Sequence, residues 1–115
     1  MARQSLGAKP KVFGSPARTD VLVLLGLLEE SYPRELARLT GINLSSVQNI
    51  VDSLDVEGIV VTRLVGKERK VTLNPRYYAV EELRRYLSRL ATGRPDLQRI
   101  ASTFRRRPRR ARKPL

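Results

Sequence analysis

Tyr32 to Gly58 reads YPRELARLTGINLSSVQNIVDSLDVEG, two short helical patterns separated by a glycine. Pro33 suits the first position of a helix, where its missing N–H costs nothing and its φ is already helical. Leu36, Ala37 and Leu39 then face inward over a helix expected from Pro33 to about Thr40. Gly41 ends it where the backbone must turn left-handed, a conformation glycine adopts cheaply. Asn43 is a good N-cap for the next helix, and Leu44, Val47, Ile50, Val51 and Leu54 recur behind it at helical spacing. Ser45, Ser46, Gln48 and Asn49 make the opposite face polar, and Gly58 closes the segment. Two helices across a tight turn, the second polar outward, is the logic of a helix-turn-helix held out for insertion into a nucleic-acid groove.

Upstream, residues 1–14 contain Gly, Pro and Lys without a sustained period and read as a flexible basic arm. Ser15-Pro16 looks like an N-cap followed by proline at the first helical position, opening a helix expected to reach about Glu30. Val21, Leu24, Leu25 and Leu28 form one stripe of it, while Leu22, Val23 and Leu27 cover other sides. A helix apolar nearly all round needs cover on two sides. One cover is its own domain; a second subunit is a candidate for the other.

Downstream, Ile59 to Leu64 and Arg69 to Leu73 read as the strands of a β-hairpin turning at Gly66-Lys67 and stopped by Asn74-Pro75. Val80, Leu83, Leu87 and Leu90 then recur at a narrow, coiled-coil-like spacing on a fourth helix. That seam reads either as packing inside one subunit or as the contact of a twofold dimer, with these four residues as its interface. Thr92-Gly93 and Pro95 break the helix. Leu97, Ile100, Ala101 and Phe104 suit one more short amphipathic helix before an Arg/Pro tail expected to be disordered when unbound.

Composition narrows the chemistry. The 115 residues include no cysteine and no histidine, which excludes disulfides, thiolate or histidine metal sites, and histidine-based nucleophilic catalysis. The carboxylate pairs Glu29-Glu30 and Glu81-Glu82 are adjacent in sequence and diverge on helices, so no enzymatic activity, cofactor or metal is expected. No apolar run approaches a membrane span, and the basic start lacks the apolar segment of a secretory signal. The expected location is therefore cytoplasmic, associated with the nucleoid. The net charge is +12, and residues 105–115 carry seven cations and no acid. With the arm also basic, the body between them is nearly balanced, the layout of a folded module whose arms grip a polyanion.

The order helix, helix, turn, helix, hairpin, helix is that of a winged helix-turn-helix, and the residues permit a more specific comparison. Ala37 is the small residue that lets two helices approach, Gly41 sits in the turn, Ile42 follows it, and Val47 and Ile50 face the core. The continuation VDSLDVEGIVVTRLVGKERKVTLNPRYYAVEELRRYL has a Gly-Ile-Val entry into the wing and an Asn-Pro-Arg exit. Over roughly Phe13 to Ala91 the chain resembles small prokaryotic winged-helix transcriptional regulators of the ArsR/MarR type. Thr40 departs from the apolar residue often found before the turn glycine. Metal-sensing members use Cys and His ligands, so that activity is not carried over. Similar modules also precede nucleotidyltransferase domains; none follows in these residues, and no transferase activity is expected.

The resemblance implies a mostly α fold with a small β-hairpin. Residues 15–91 would be a three-helix core with a wing and a C-terminal dimerisation helix, 92–104 a short amphipathic helix, and 105–115 the Arg-rich tail. The implied function is a sequence-specific DNA-binding transcriptional regulator acting as a homodimer, probing double-stranded DNA with Ser45, Ser46, Gln48 and Asn49. Gln and Asn can pair bidentately with adenine, and Ser can serve several bases. That helix lacks Lys and Arg, and Asp52, Asp55 and Glu57 follow in its C-terminal half. Phosphate contacts are therefore expected from Arg34 and Arg38, from Arg63, Lys67, Arg69 and Lys70 on the hairpin, and from Arg105, Arg106, Arg107, Arg109 and Arg110. The alternative is a winged-helix architectural or interaction module that binds DNA or RNA with little sequence preference.

Overall fold

The structure is a computed structural model that describes residues 12–106, with side chains described for 12–104. Most of the arm and the contacts expected of Arg105, Arg106, Arg107, Arg109 and Arg110 lie outside the described residues or side chains. Helix α1 spans Pro16–Leu28, and the Ser15 hydroxyl caps it by accepting the Arg18 N–H at 3.1 Å. It stops two residues short of the expected Glu30. Glu29 takes a φ of 74°, left-handed and unfavourable for a non-glycine residue, while its N–H donates to the Leu25 carbonyl at 2.7 Å. This sharp exit aligns Glu30–Ser31 as a two-residue strand, β1, absent from the sequence-based expectation.

Helix α2 runs Pro33–Thr40 with proline in its first turn and Gly41 at φ 81° as its left-handed cap. Thr40 has a structural reason to depart from an apolar residue. Its hydroxyl donates to the Leu36 carbonyl at 2.7 Å and accepts the Ile42 N–H at 3.2 Å, satisfying two backbone groups of the turn. Helix α3 spans Leu44–Val56, and the Asn43 side chain accepts the Ser46 N–H at 2.8 Å. The hairpin is β2, Val60–Val65, and β3, Glu68–Leu73, joined through Gly66-Lys67 with Gly66 at φ 67°. β3 is central: the antiparallel sheet runs β1-β3-β2, with Ser31 opposite Val71 and Val60 opposite Leu73. Helices α4, Val80–Thr92, and α5, Pro95–Arg106, complete the order. The described residues thus form five helices and a three-stranded antiparallel sheet, an architecture compatible with the winged-helix class.

α1 is the axis of the core. Val21 through Leu25 are all buried, and α1 packs against α2, β1 and β3 as well as α4 and α5. The second cover of this all-round apolar helix is therefore the chain's own C-terminal helical pair. Of the two readings of the α4 seam, packing inside one subunit accounts for Val80, only 7% exposed, and Leu87, 2%, while Leu83 and Leu90 pack half-buried against the same core. Burying a leucine side chain contributes roughly 2 kcal/mol, and Leu87 gains it against the chain's own core. Gly26 makes the close approach possible, since a Cβ there would meet the Leu87 Cβ and Cδ1 at 3.3 Å.

A buried guanidinium locks α5 in place. Arg94, 8% exposed in the α4–α5 turn, donates from Nη1 to Asp20 Oδ1 on α1 at 2.5 Å. It also grips Asp96 in the first turn of α5, through Nε at 3.1 Å and Nη2 at 2.9 Å. The pairing holds Asp96 below the ordinary carboxylate range, chiefly through the Arg94 hydrogen bond, and raises Arg94 above the ordinary guanidinium value. Gln98 adds a side-chain amide bond to the Ala91 carbonyl, closing the turn from the other side.

Candidate nucleic-acid interface

Helix α3 presents Ser45, Gln48 and Asn49 to solvent on one stripe, at spacings of three and four residues that place them on one face. Its buried side, Val47, Val51 and Leu54, is fixed in the core. The outward stripe is therefore set by the inward one. Asn43 orders its N-terminal end twice, accepting the Ser45 hydroxyl at 3.1 Å as well as the Ser46 N–H. Ser46 differs from the other three: it is half-buried and lies toward Ser53, whose hydroxyl accepts from Arg18 Nη1 at 2.9 Å. Of the four expected base contacts, the geometry brings Ser45, Gln48 and Asn49 together and leaves Ser46 at the margin.

The carboxylates in the C-terminal half of α3 have partners from elsewhere in the fold. Arg69 Nη2 on β3 donates to Asp52 Oδ1 at 2.6 Å. Arg18 Nη2 on α1 reaches Glu57 Oε1 at 3.0 Å, and the Thr62 hydroxyl donates to Asp55 Oδ2 at 3.3 Å. The charges of Asp52 and Glu57 are thus matched by arginines of β3 and α1, while Asp55 has only a neutral hydroxyl donor among the described residues. The positive end of the helix dipole adds to this at the N-terminus of α3, where an anion is favoured.

The cations expected to hold phosphate divide into two groups. Arg69 and Lys70 are half-buried and engaged, Arg69 with Asp52 and Lys70 Nζ with Glu30 Oε1 at 3.0 Å. Both serve the fold first: one ties the wing to α3, the other ties β3 to β1. Arg34, Arg38, Arg63 and Lys67 are exposed and have no ion-pair partner among the described residues. A groove of about 270 Å³ opens between α3, the start of α2 and the hairpin turn, lined by Arg34, Gln48, Lys67 and Arg69 together with Pro33, Leu44 and the carboxylate-bearing Glu68. Separated in sequence, these four side chains surround one concavity beside the polar stripe.

Two contributors escaped the sequence reading. Arg18 lies 39 residues from Glu57 and carries no motif that would announce the pairing. Thr62 reads as an ordinary strand residue, and only the packing of α3 on β2 brings it to Asp55. No described helix is long and apolar enough to cross a membrane. No protein-family model, curated protein or solved structure matches the chain.

Proposed function

We propose that the chain is a sequence-specific double-stranded DNA-binding regulator that acts by occupying an operator and blocking access to it. In this reading α3 enters the major groove. Gln48 and Asn49 offer paired amide groups to base edges, Ser45 offers a hydroxyl, and Arg34, Arg38, Arg63 and Lys67 meet the flanking phosphates. The observation that carries the proposal is a capped helix, rigid on its core side, whose outward amides are exposed while two of its three following acids, Asp52 and Glu57, are paired with arginines. Unpaired carboxylates on this helix would repel phosphate. The Arg69–Asp52 and Arg18–Glu57 pairs weaken that repulsion.

Operation as a homodimer belongs to the same proposal, with two reading heads about 34 Å apart on one face of DNA. Such a pair would meet through surface other than Val80 and Leu87, which are consumed inside the subunit. The Arg-rich sequence 105–115 favours a second reading, a module that binds nucleic acid through charge with little sequence preference.

Selection from a random-duplex library at moderate salt separates the two. The regulator reading expects one enriched motif for the full chain, and a flattened preference with nearly unchanged non-specific affinity for Gln48→Ala/Asn49→Ala. Tight binding without any motif would favour the charge-driven module. An enriched motif that survives the double substitution would remove those two amides from the reading role.

A further inference from the structure

From the groove beside α3, cations continue along α2. Arg34 and Arg38 are four residues apart on the same exposed face of that helix. Arg38 borders a cleft of about 330 Å³ whose opposite wall is α5, formed by Arg99, Ile100, Thr103 and Phe104. Leu39, Ile100 and Phe104 make the cleft's lining partly apolar, and Arg38 and Arg99 are exposed at it. Neither Arg38 nor Arg99 has a hydrogen-bond or ion-pair partner among the described residues. Two like charges facing one cleft without a carboxylate between them repel each other, and an anion placed there relieves that repulsion.

The direction of α5 gives the cleft its significance. The Arg94 clamp fixes the first turn of α5 against α1, and the helix runs from there to Arg106, its last described side chains lining the cleft beside Arg38. The α2 wall of the cleft leads back to Arg34, which shares a groove with Gln48 of α3.

We propose that α5 carries a second phosphate-binding surface, in which Arg99 joins Arg34 and Arg38 in one cationic track that starts at the reading head. The track grips the backbone of the same duplex that α3 reads. Arg99 is a new member of the interface, and the Arg94–Asp20–Asp96 clamp is its positioning device. This inference rests on the DNA-binding reading above.

The test measures affinity for the selected duplex between 50 and 200 mM salt. The proteins are the full chain, Arg38→Ala, Arg99→Ala, a chain ending at Phe104, and Arg89→Ala on α4 as a surface control. Each phosphate released lowers the log–log salt slope by about 0.9. Arg38→Ala and Arg99→Ala should each flatten the slope by about that amount, whereas Arg89→Ala should not. Truncation should flatten it by several units and shorten the hydroxyl-radical footprint on one side of the site. Retained site-specific binding with an unchanged slope for Arg38→Ala and Arg99→Ala would overturn the second surface. A slope change equally large for Arg89→Ala would also overturn it, because any surface cation would then serve. Absence of duplex binding by the full chain would instead defeat the DNA-binding reading itself.

Discussion

Replacing Arg69 with alanine releases the Asp52 carboxylate on the polar stripe of α3 while leaving every core residue in place. The pair is partly solvated, with side chains 30% and 61% exposed. Its loss should therefore cost the fold only about 0–1 kcal/mol. Binding should suffer more. A carboxylate about 8 Å from a phosphate at an effective dielectric of about 20 is repelled by roughly 2 kcal/mol. Screening over a Debye length of about 8 Å reduces this to roughly 0.8 kcal/mol per phosphate. Two flanking phosphates bring the penalty to about 1.5 kcal/mol, close to tenfold in affinity. The assay is fluorescence anisotropy on the selected duplex for the parent, Arg69→Ala, Asp52→Asn and Arg69→Ala/Asp52→Asn, with urea unfolding of each as a control. Arg69→Ala should bind about tenfold more weakly with nearly unchanged stability, and the double variant should recover most of that loss. If the double variant binds no better than Arg69→Ala, the freed carboxylate does not face phosphate, and neutralisation of α3 by the wing is not what permits binding.

Two further expectations concern the fold. Leu87→Ala should destabilise the chain by about 3 kcal/mol, the usual range for a buried leucine, with a thermal midpoint independent of protein concentration; a midpoint rising with concentration would return the α4 seam to a subunit contact. Asp96 gives an acid signature. Because its folded pKa lies below its ordinary value of 3.8, its contribution is fully present above that value and fades as pH falls through the depressed one. Thermal melts should therefore show an added loss of stability at the acid end that Asp96→Asn removes, and identical acid profiles for the two proteins would refute the linkage.

The comparison of sequence with structure separates local chemistry from distant partners. Ser15 and Asn43 as caps, Pro16 and Pro33 at helix starts, and Gly41 and Gly66 at positive φ were legible because each acts on backbone groups within a few residues. The exposed stripe of Ser45, Gln48 and Asn49 was legible too, as the complement of a buried face with helical period. β1 was not. Two residues have no period of their own, and Glu30–Ser31 is a strand only because β3 pairs with it. Periodicity also showed that α1 and α4 bury apolar faces without naming what covers them. The cover depends on Gly26 admitting Leu87 and on Arg94 reaching Asp20 across 74 residues. For the interface, residue type announced the cations, but not which of them the fold occupies. Arg69 and Lys70 look as free as Arg63 and Lys67 in sequence, and only the register of β3 against α3 and β1 distinguishes them.

The chain's lack of cysteine allows a direct test of the proposed DNA-facing surface. A single cysteine introduced as Ser45→Cys on α3, or as Ser88→Cys on exposed α4, can carry a tethered iron chelate that cuts nearby DNA by hydroxyl radical. The account expects cleavage from position 45 centred within the selected motif, with the strand offset of a probe in the major groove, and none above background from position 88. Cleavage from position 88 with none from position 45 would contradict α3 as the reading element.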